Sequence, residues 1–298
     1  MGLHVIVGGG PVGTATARVL VERGEKVRVV TRSGSGPIDV ERVAADATDA
    51  DRLTELATDA EVIYNCANPQ YHRWLTDWPP LARALRLAAA NTGAVLATAS
   101  CLYGYGPVDA PITPATPLAA THPKLRIRAD MWRAALADHE AGRIRATEVR
   151  ASDYLEANSV FSAMLETPIR AGKRCYSVLP VDVPHTFTAI ADMARTLVTA
   201  ATTEAAWGRA WLVPSTAPLT VRELAGRYAT VIGASAPRLT ALPYPVLWGA
   251  GLGNAFLREM RTTYYQWARP FTMDAGATEA ALGLTATPLD TVLASMRG

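Results

Sequence analysis

Residues 5–20 read VIVGGGPVGTATARVL. An apolar run, a glycine cluster and a helical pattern follow one another without a break. Gly8, Gly10 and Gly13 are spaced as G-x-G-x-x-G, and each glycine has its own task. The first permits a tight turn, the second lets the backbone approach a pyrophosphate, and the third lets helix and strand pack closely. Pro11 and Val12 open the predicted helix. Its first N–H groups and positive potential suit bound phosphates.

The alternation continues outward. LHVIVG (3–8), KVRVVTR (26–32), VERVAAD (40–46), EVIYNCA (61–67), AVLATAS (94–100) and RATEVRAS (145–152) read as short strands. Helices are predicted over 11–24, 49–60, 79–93 and 123–142. Such alternation implies an α/β fold, a Rossmann-type doubly wound parallel sheet with helices on both faces. After residue 152 the pattern loosens into mainly helical sequence with frequent Pro and Gly. Residues 1–152 are therefore assigned to an NADP-binding Rossmann domain, and 153–298 to a smaller, mainly helical substrate lobe. Segments around 176–212 are expected to return to the first sheet.

Composition narrows the partners. The 298 residues are 49% hydrophobic, enough for a sizeable core, and carry a net charge of +2. No run of five like charges occurs, so neither nucleic acid nor a membrane surface is expected as a partner. The cysteines, Cys66, Cys101 and Cys175, are odd in number and lack metal spacing, and the five histidines are scattered. We expect reduced thiols, no metal and a cytoplasmic protein without a signal peptide. The apolar stretch 243–256 is too short to span a bilayer. Arginine far outnumbers lysine and alanine is abundant, a bias that suggests a GC-rich bacterial genome.

The predicted second strand ends at Thr31-Arg32-Ser33, with no acid to grip a ribose. Arg32 can instead pair with a 2′-phosphate and Ser33 can add a hydrogen bond, which favours NADP(H) over NAD(H). Asp46 and Ala47 end the third strand where such folds approach the adenine. Cys66, Ala67 and Asn68 end the fourth, and their small size suits a ribose.

The segments VGGGPVG, ADATD, YNCANP, ASCLYGYGP (99–107) and VPHTFTAIADMA (183–194) together resemble the short-chain dehydrogenase/reductase superfamily. The likeness is to its extended and atypical branches related to NAD(P)-dependent sugar epimerases and dehydratases. The resemblance implies a serine or threonine after the fifth strand and a Tyr-x-x-x-Lys on the next helix. In that family the tyrosine exchanges a proton with substrate, and the lysine lowers its pKa and holds the nicotinamide ribose. This chain departs from the pattern. Its three lysines are Lys26, Lys124 and Lys173, and four residues before them stand Glu22, Ala120 and Ile169. No Tyr-x-x-x-Lys exists. Aligned by eye, His122 falls at the tyrosine, Arg126 at the lysine, and Ser100 or Cys101 at the serine.

Hydride transfer to a ketone still needs a donor for the developing alkoxide. Candidate donors are Ser100, Tyr103, Tyr105, His122 and Lys124, with Ser100 also expected beside the cofactor. A phenol or enol on the substrate is an alternative source. The aromatic stretch 242–271 includes Trp248, Phe256, Met260, Tyr264, Tyr265, Trp267 and Phe271; it is either core or a lid over a flat, bulky substrate. The leading expectation is an NADPH-dependent ketoreductase acting on a bulky aromatic or polyketide metabolite in bacterial antibiotic biosynthesis. It is similar to ketoreductases of angucyclinone-type polyketides, and monomer and homodimer both fit. The alternatives are an NADP-binding regulator or redox sensor without turnover, and an epimerase-like enzyme of sugar metabolism.

Replacing Arg32 by alanine should weaken NADP+ binding at least tenfold while leaving NAD+ affinity unchanged, since about 1.4 kcal/mol of phosphate pairing is lost. Titration of both nucleotides against the two proteins checks this.

Overall fold

Successive side chains of β1 (Leu3–Val7) point to opposite faces, and both faces are apolar. Val5 and Val7 pack into one buried cluster and Ile6 into another. A strand buried on both faces belongs at the centre of a parallel sheet. The computed structural model describes residues 1–156 and 159–297, and β1 is central in it. The other strands are β2 (Lys26–Thr31), β3 (Glu41–Ala44), β4 (Ala60–Asn65), β5 (Val95–Cys101), β6 (Arg145–Ala151), β7 (Asp153–Tyr154), β8 (Cys175–Ser177), β9 (Phe187–Thr188), β10 (Ala210–Leu212) and β11 (Leu239–Ala241).

Seven of these form one parallel sheet in the order β10-β6-β5-β4-β1-β2-β3. The chain runs outward from β1 to β3, then returns to β4 and runs the other way. That reversal opens a crevice beyond the carboxyl ends of β1 and β4, the usual ligand position in such sheets.

Helices α1 (Pro11–Glu22), α2 (Ala50–Leu56), α3 (Trp74–Thr92), α4 (Pro123–Glu140), α5 (Thr167–Arg170) and α6 (Ile190–Thr202) follow in sequence. One face of the sheet packs Leu53, Trp78, Leu85 and Trp132 from α2, α3 and α4. The other packs Ala17, Leu20, Met193 and Leu197 from α1 and α6. Burying each large aliphatic side chain contributes about 1.5–3 kcal/mol.

The helix predicted from residue 79 begins earlier, at Trp74, and holds Pro79 and Pro80 inside it. Buried Trp74 and Trp78 anchor this first stretch. The prolines are exposed, as are Leu75 and Thr76, whose carbonyls lose their helical donors. The segment 176–212 divides. β8 pairs with β11 outside the main sheet, whereas β10 extends the sheet beside β6 and α6 packs on α1.

The remaining helices are α7 (Val221–Ile232), α8 (Tyr244–Gly253), α9 (Ala255–Thr263), α10 (Tyr265–Ala268), α11 (Gly276–Leu282) and α12 (Leu289–Ser295). A separate core joins Phe161, Leu165, Leu224, Tyr228, Leu247, Trp267 and Leu293. The aromatic stretch is therefore split. Met260, Trp267 and Phe271 are core, Trp248 is exposed, and the Phe256 side chain lies outside the described residues. Among the described residues no helix is long and apolar enough to cross a membrane.

Gly13 sits against the β1–α1 turn so tightly that a Cβ there would lie 1.9 Å from the Gly8 carbonyl oxygen. Gly13→Ala should cost about 1–3 kcal/mol through overpacking. Gly10→Ala meets nothing within 4 Å and should cost about 1 kcal/mol at most, from a poorer cap. Urea unfolding of the two variants provides the comparison.

Candidate functional site

The glycine turn shows how the sequence shapes the crevice. Gly8 has φ +108°, and a Cβ on it would meet the Ala67 nitrogen at 2.6 Å. The turn thereby presses β1 against the end of β4. Gly10 precedes α1, has no side-chain cap and faces open space. The first N–H groups of α1 point beyond the sheet with no acid in the first turn to compete. This is the cradle that a pyrophosphate needs.

Thr31 and Ser33 flank Arg32 at the end of β2, and their hydroxyls bond within the 31–35 loop, at 2.9 Å to the Ser35 carbonyl and 3.0 Å to the Ser35 hydroxyl. Arg32 is exposed and has no hydrogen bond or ion pair among the described residues. Its charge still reaches Asp46. Donors from the Thr48 backbone and hydroxyl hold the Asp46 carboxyl below its usual range, with Arg32 adding a smaller effect. Ala47 and Ala67 are half-buried and Asn68 is exposed. Cys66 is buried beside Thr16, and burial pushes its thiol up to about 12. A neutral thiol packed there shapes the floor and does no chemistry.

The candidate proton donors fall into two groups. Ser100, Tyr103 and Lys124 lie at the carboxyl end of β5. Ser100 is buried, and its side chain has no hydrogen bond among the described residues. The Tyr103 ring meets Tyr71 edge-on at 6.1 Å and Trp74 at 5.8 Å. Burial raises the pKa of both tyrosines well above the ordinary value. The structure does not bring His122 and Tyr105 into this group. His122 is the exposed N-cap of α4, its Nδ1 accepting from the Lys124 N–H at 3.3 Å. Tyr105 is buried in a cluster with Leu102, Ile112 and Phe271, and its hydroxyl accepts from Arg150 at 2.7 Å.

On α4 the residues facing the crevice are Lys124 and Arg128, one turn apart and each 6% exposed. The eye alignment, which matched His122 and Arg126, is offset from this face by two residues. The Lys124 Nζ lies 3.8 Å from the Tyr71 ring centroid and is bonded to Glu259 of α9. Burial pulls the lysine below its ordinary pKa, and Glu259 opposes the shift. Arg128 donates to the Ala99 carbonyl at 2.9 Å and stacks on Trp78 at 4.6 Å. Its Nε and Nη1 are buried without an oxygen or nitrogen partner among the described residues, and the Cys101 thiol lies beside the guanidinium. Asp153 completes the rim, with His185 Nε2 at 2.9 Å and Trp267 stacked on that imidazole at 4.3 Å.

Tyr71, Trp74, Arg128, Asp153 and Glu259 escaped the sequence reading. Lys124, Arg128 and Trp132 recur every fourth residue, so Trp132 as a core anchor could have revealed the buried face of α4. Nothing local marks Glu259, which lies 135 positions from its partner.

Residues 4–209, well over half of the chain, match the NAD dependent epimerase/dehydratase family. The chain belongs to this family. Comparison with curated proteins gives no match. Solved structures similar to this family member include UDP-N-acetylglucosamine 4-epimerase from Bacillus cereus, at 14% identity and TM-score 0.80 over 100% of both chains. UDP-glucose 4-epimerase from Thermotoga maritima, with UDP-glucose, gives 14% and 0.80, covering 99% of this chain and 97% of its own. dTDP-glucose 4,6-dehydratase from Streptomyces venezuelae, with NAD bound, gives 17% and 0.75 over 100% and 96%. At these identities the likeness establishes the shared fold.

Tyr105→Phe should cost about 1–3 kcal/mol of stability by leaving Nη1 of the buried Arg150 without its acceptor, Glu148 still holding Nε, while nucleotide affinity stays unchanged. Thermal unfolding and nucleotide titration of the same variant test both halves.

Proposed function

We propose that this family member is an NADPH-dependent ketoreductase that reduces a carbonyl of a bulky aromatic metabolite, as in bacterial antibiotic tailoring. The observation supporting this is the face of α4, where Lys124 and Arg128 are buried beside the rings of Tyr71 and Trp74, with Tyr103 packed on both rings. The dinucleotide, when bound, supplies hydride. Gly8, Gly10, Pro11, Val12 and Gly13 would hold its pyrophosphate. Thr31, Arg32 and Ser33 would take the 2′-phosphate, Asp46 and Ala47 the adenine side, and Cys66, Ala67, Asn68 and Ser100 the ribose and nicotinamide side.

The chain's own residues bind, orient and exclude water. Holding the carbonyl in a reactive geometry removes a large part of the barrier. Tyr103 is a weak acid here, because burial opposes its ionisation. Lys124 and Arg128 stabilise negative charge as it develops on oxygen. The proton then comes from a hydroxyl beside the ketone or from water. The solved relatives act on nucleotide sugars, but sugar oxidation in this family relies on the tyrosine base that this chain lacks. A second reading, a nucleotide-binding regulator without turnover, draws support from Glu259 already occupying Lys124.

Cofactor oxidation should be followed with polycyclic aromatic ketones, with and without a neighbouring hydroxyl. Turnover is expected to require that hydroxyl. Tyr103→Phe should retain activity within about tenfold, short of the roughly 10²–10⁴-fold loss from removing a general acid. Tight NADPH binding with no turnover on any ketone would favour the regulator.

A further inference from the structure

Lys124 and Arg128 place two cations in a desolvated crevice with one bonded carboxylate between them. Glu259 is bonded to Lys124. The other carboxylate on the rim, Asp153, is bonded to His185. Arg128 donates to the Ala99 carbonyl and lies beside the Cys101 thiol, a weak acceptor, while its Nε and Nη1 are buried without an oxygen or nitrogen partner among the described residues. A buried donor without a partner costs free energy, and more when it is charged. The two cations lie 5.9 and 5.7 Å from the centroid of one ring, Trp74. Both cations thus lie beside one ring, which itself packs against Tyr71 and Tyr103.

Resting on the reductase reading, we infer that Lys124 and Arg128 form a binding site for an oxyanion carried on an aromatic ring, with Glu259 as its internal stand-in. The ligand is an aromatic carboxylate, so that a hydroxyl beside the ketone keeps the proton the reduction needs. Its oxyanion takes the donors that Arg128 leaves open and displaces Glu259 from Lys124. A planar guanidinium fork suits such an oxygen pair, and the rings receive the aromatic body. Glu259 can leave readily, because it comes from α9 and keeps 19% of its side chain exposed. The lysine cannot follow it, being held over the Tyr71 ring. The arrangement keeps the cations neutralised until a ligand arrives. It also selects against neutral ketones, which cannot replace the carboxylate's charge.

Salicylate is the probe, with 2-hydroxybenzamide as its neutral counterpart. Both are titrated calorimetrically into the full-length protein, with and without NADP+. Salicylate should bind at least tenfold more tightly than the amide, a difference of about 1.4 kcal/mol. Glu259→Gln removes the competitor and should tighten salicylate binding about tenfold. Salicylate should also raise the melting temperature of that variant more than that of the parent. Lys124→Met and Arg128→Leu should each weaken binding at least tenfold, and Arg128→Lys should recover part of the loss.

Equal binding of the amide overturns the proposal. So does salicylate binding that is unchanged or weaker in Glu259→Gln. If Arg128→Leu weakens NADP+ and leaves salicylate untouched, the guanidinium belongs to the cofactor and the proposal fails. Salicylate binding needs no turnover. Binding without reduction of any ketone therefore sinks the reductase reading alone, and reduction of neutral ketones without salicylate binding sinks this proposal alone.

Discussion

The contact between Gly13 and the Gly8 carbonyl sets the geometry on which the rest depends. Helix α1 can cross β1 this closely only because no side chain separates them. The approach fixes where the first turn of α1 lies relative to the sheet. Gly8 makes the matching approach on the other side, against Ala67. Together the two contacts lock the order β2-β1-β4 at the point where the chain reverses direction. The open Gly10 between them gains its exposure from the same compression. A general α/β packing thus becomes a local phosphate cradle through three missing methyl groups.

The opposite wall of the crevice obeys a different constraint. Two cations are withdrawn from water, and desolvation of each costs several kcal/mol before any partner is counted. Cation–π contacts with Tyr71, Trp74 and Trp78 offset part of this, at about 0.5–2 kcal/mol each. An ion pair to the lysine and a carbonyl bond to the arginine offset a further part. Desolvation wins at the lysine, whose pKa is lowered despite Glu259. A fold that needed only stability would gain from apolar residues here.

Much of the fold was legible because periodicity is local. Short apolar runs, with a glycine closing three of the four helix patterns (Gly24, Gly93 and Gly142), located the strands of the sheet. The start of α3 was hidden, since Pro79 and Pro80 signal a boundary while the anchoring tryptophans precede them. Apart from Ser100, the residues proposed to hold the nucleotide follow one another along the first 70 positions, so spacing alone could single them out. The other side of the crevice was not legible in this way. Tyr103 and Tyr105 look equivalent in the loop, yet only the structure shows that Arg150 has claimed one of them. The Lys124–Glu259 pair depends on two helices meeting across the crevice, which no neighbouring residues encode.

The route of the chain carries one more consequence. It leaves the sheet after β6 and comes back through β9, α6 and β10. It departs again for α7 to α10, then returns as Phe271–Asp274 bonds to Ile112 and Thr186 and as α11 lies on α6. Several threads, not a single joint, therefore connect the two sides. Swivelling about one hinge is denied to such a body, and motion must be shared among strands as small sliding. The same threading resists modular exchange. Exchange of the chain at a single junction would therefore cut through contacts on both sides at once.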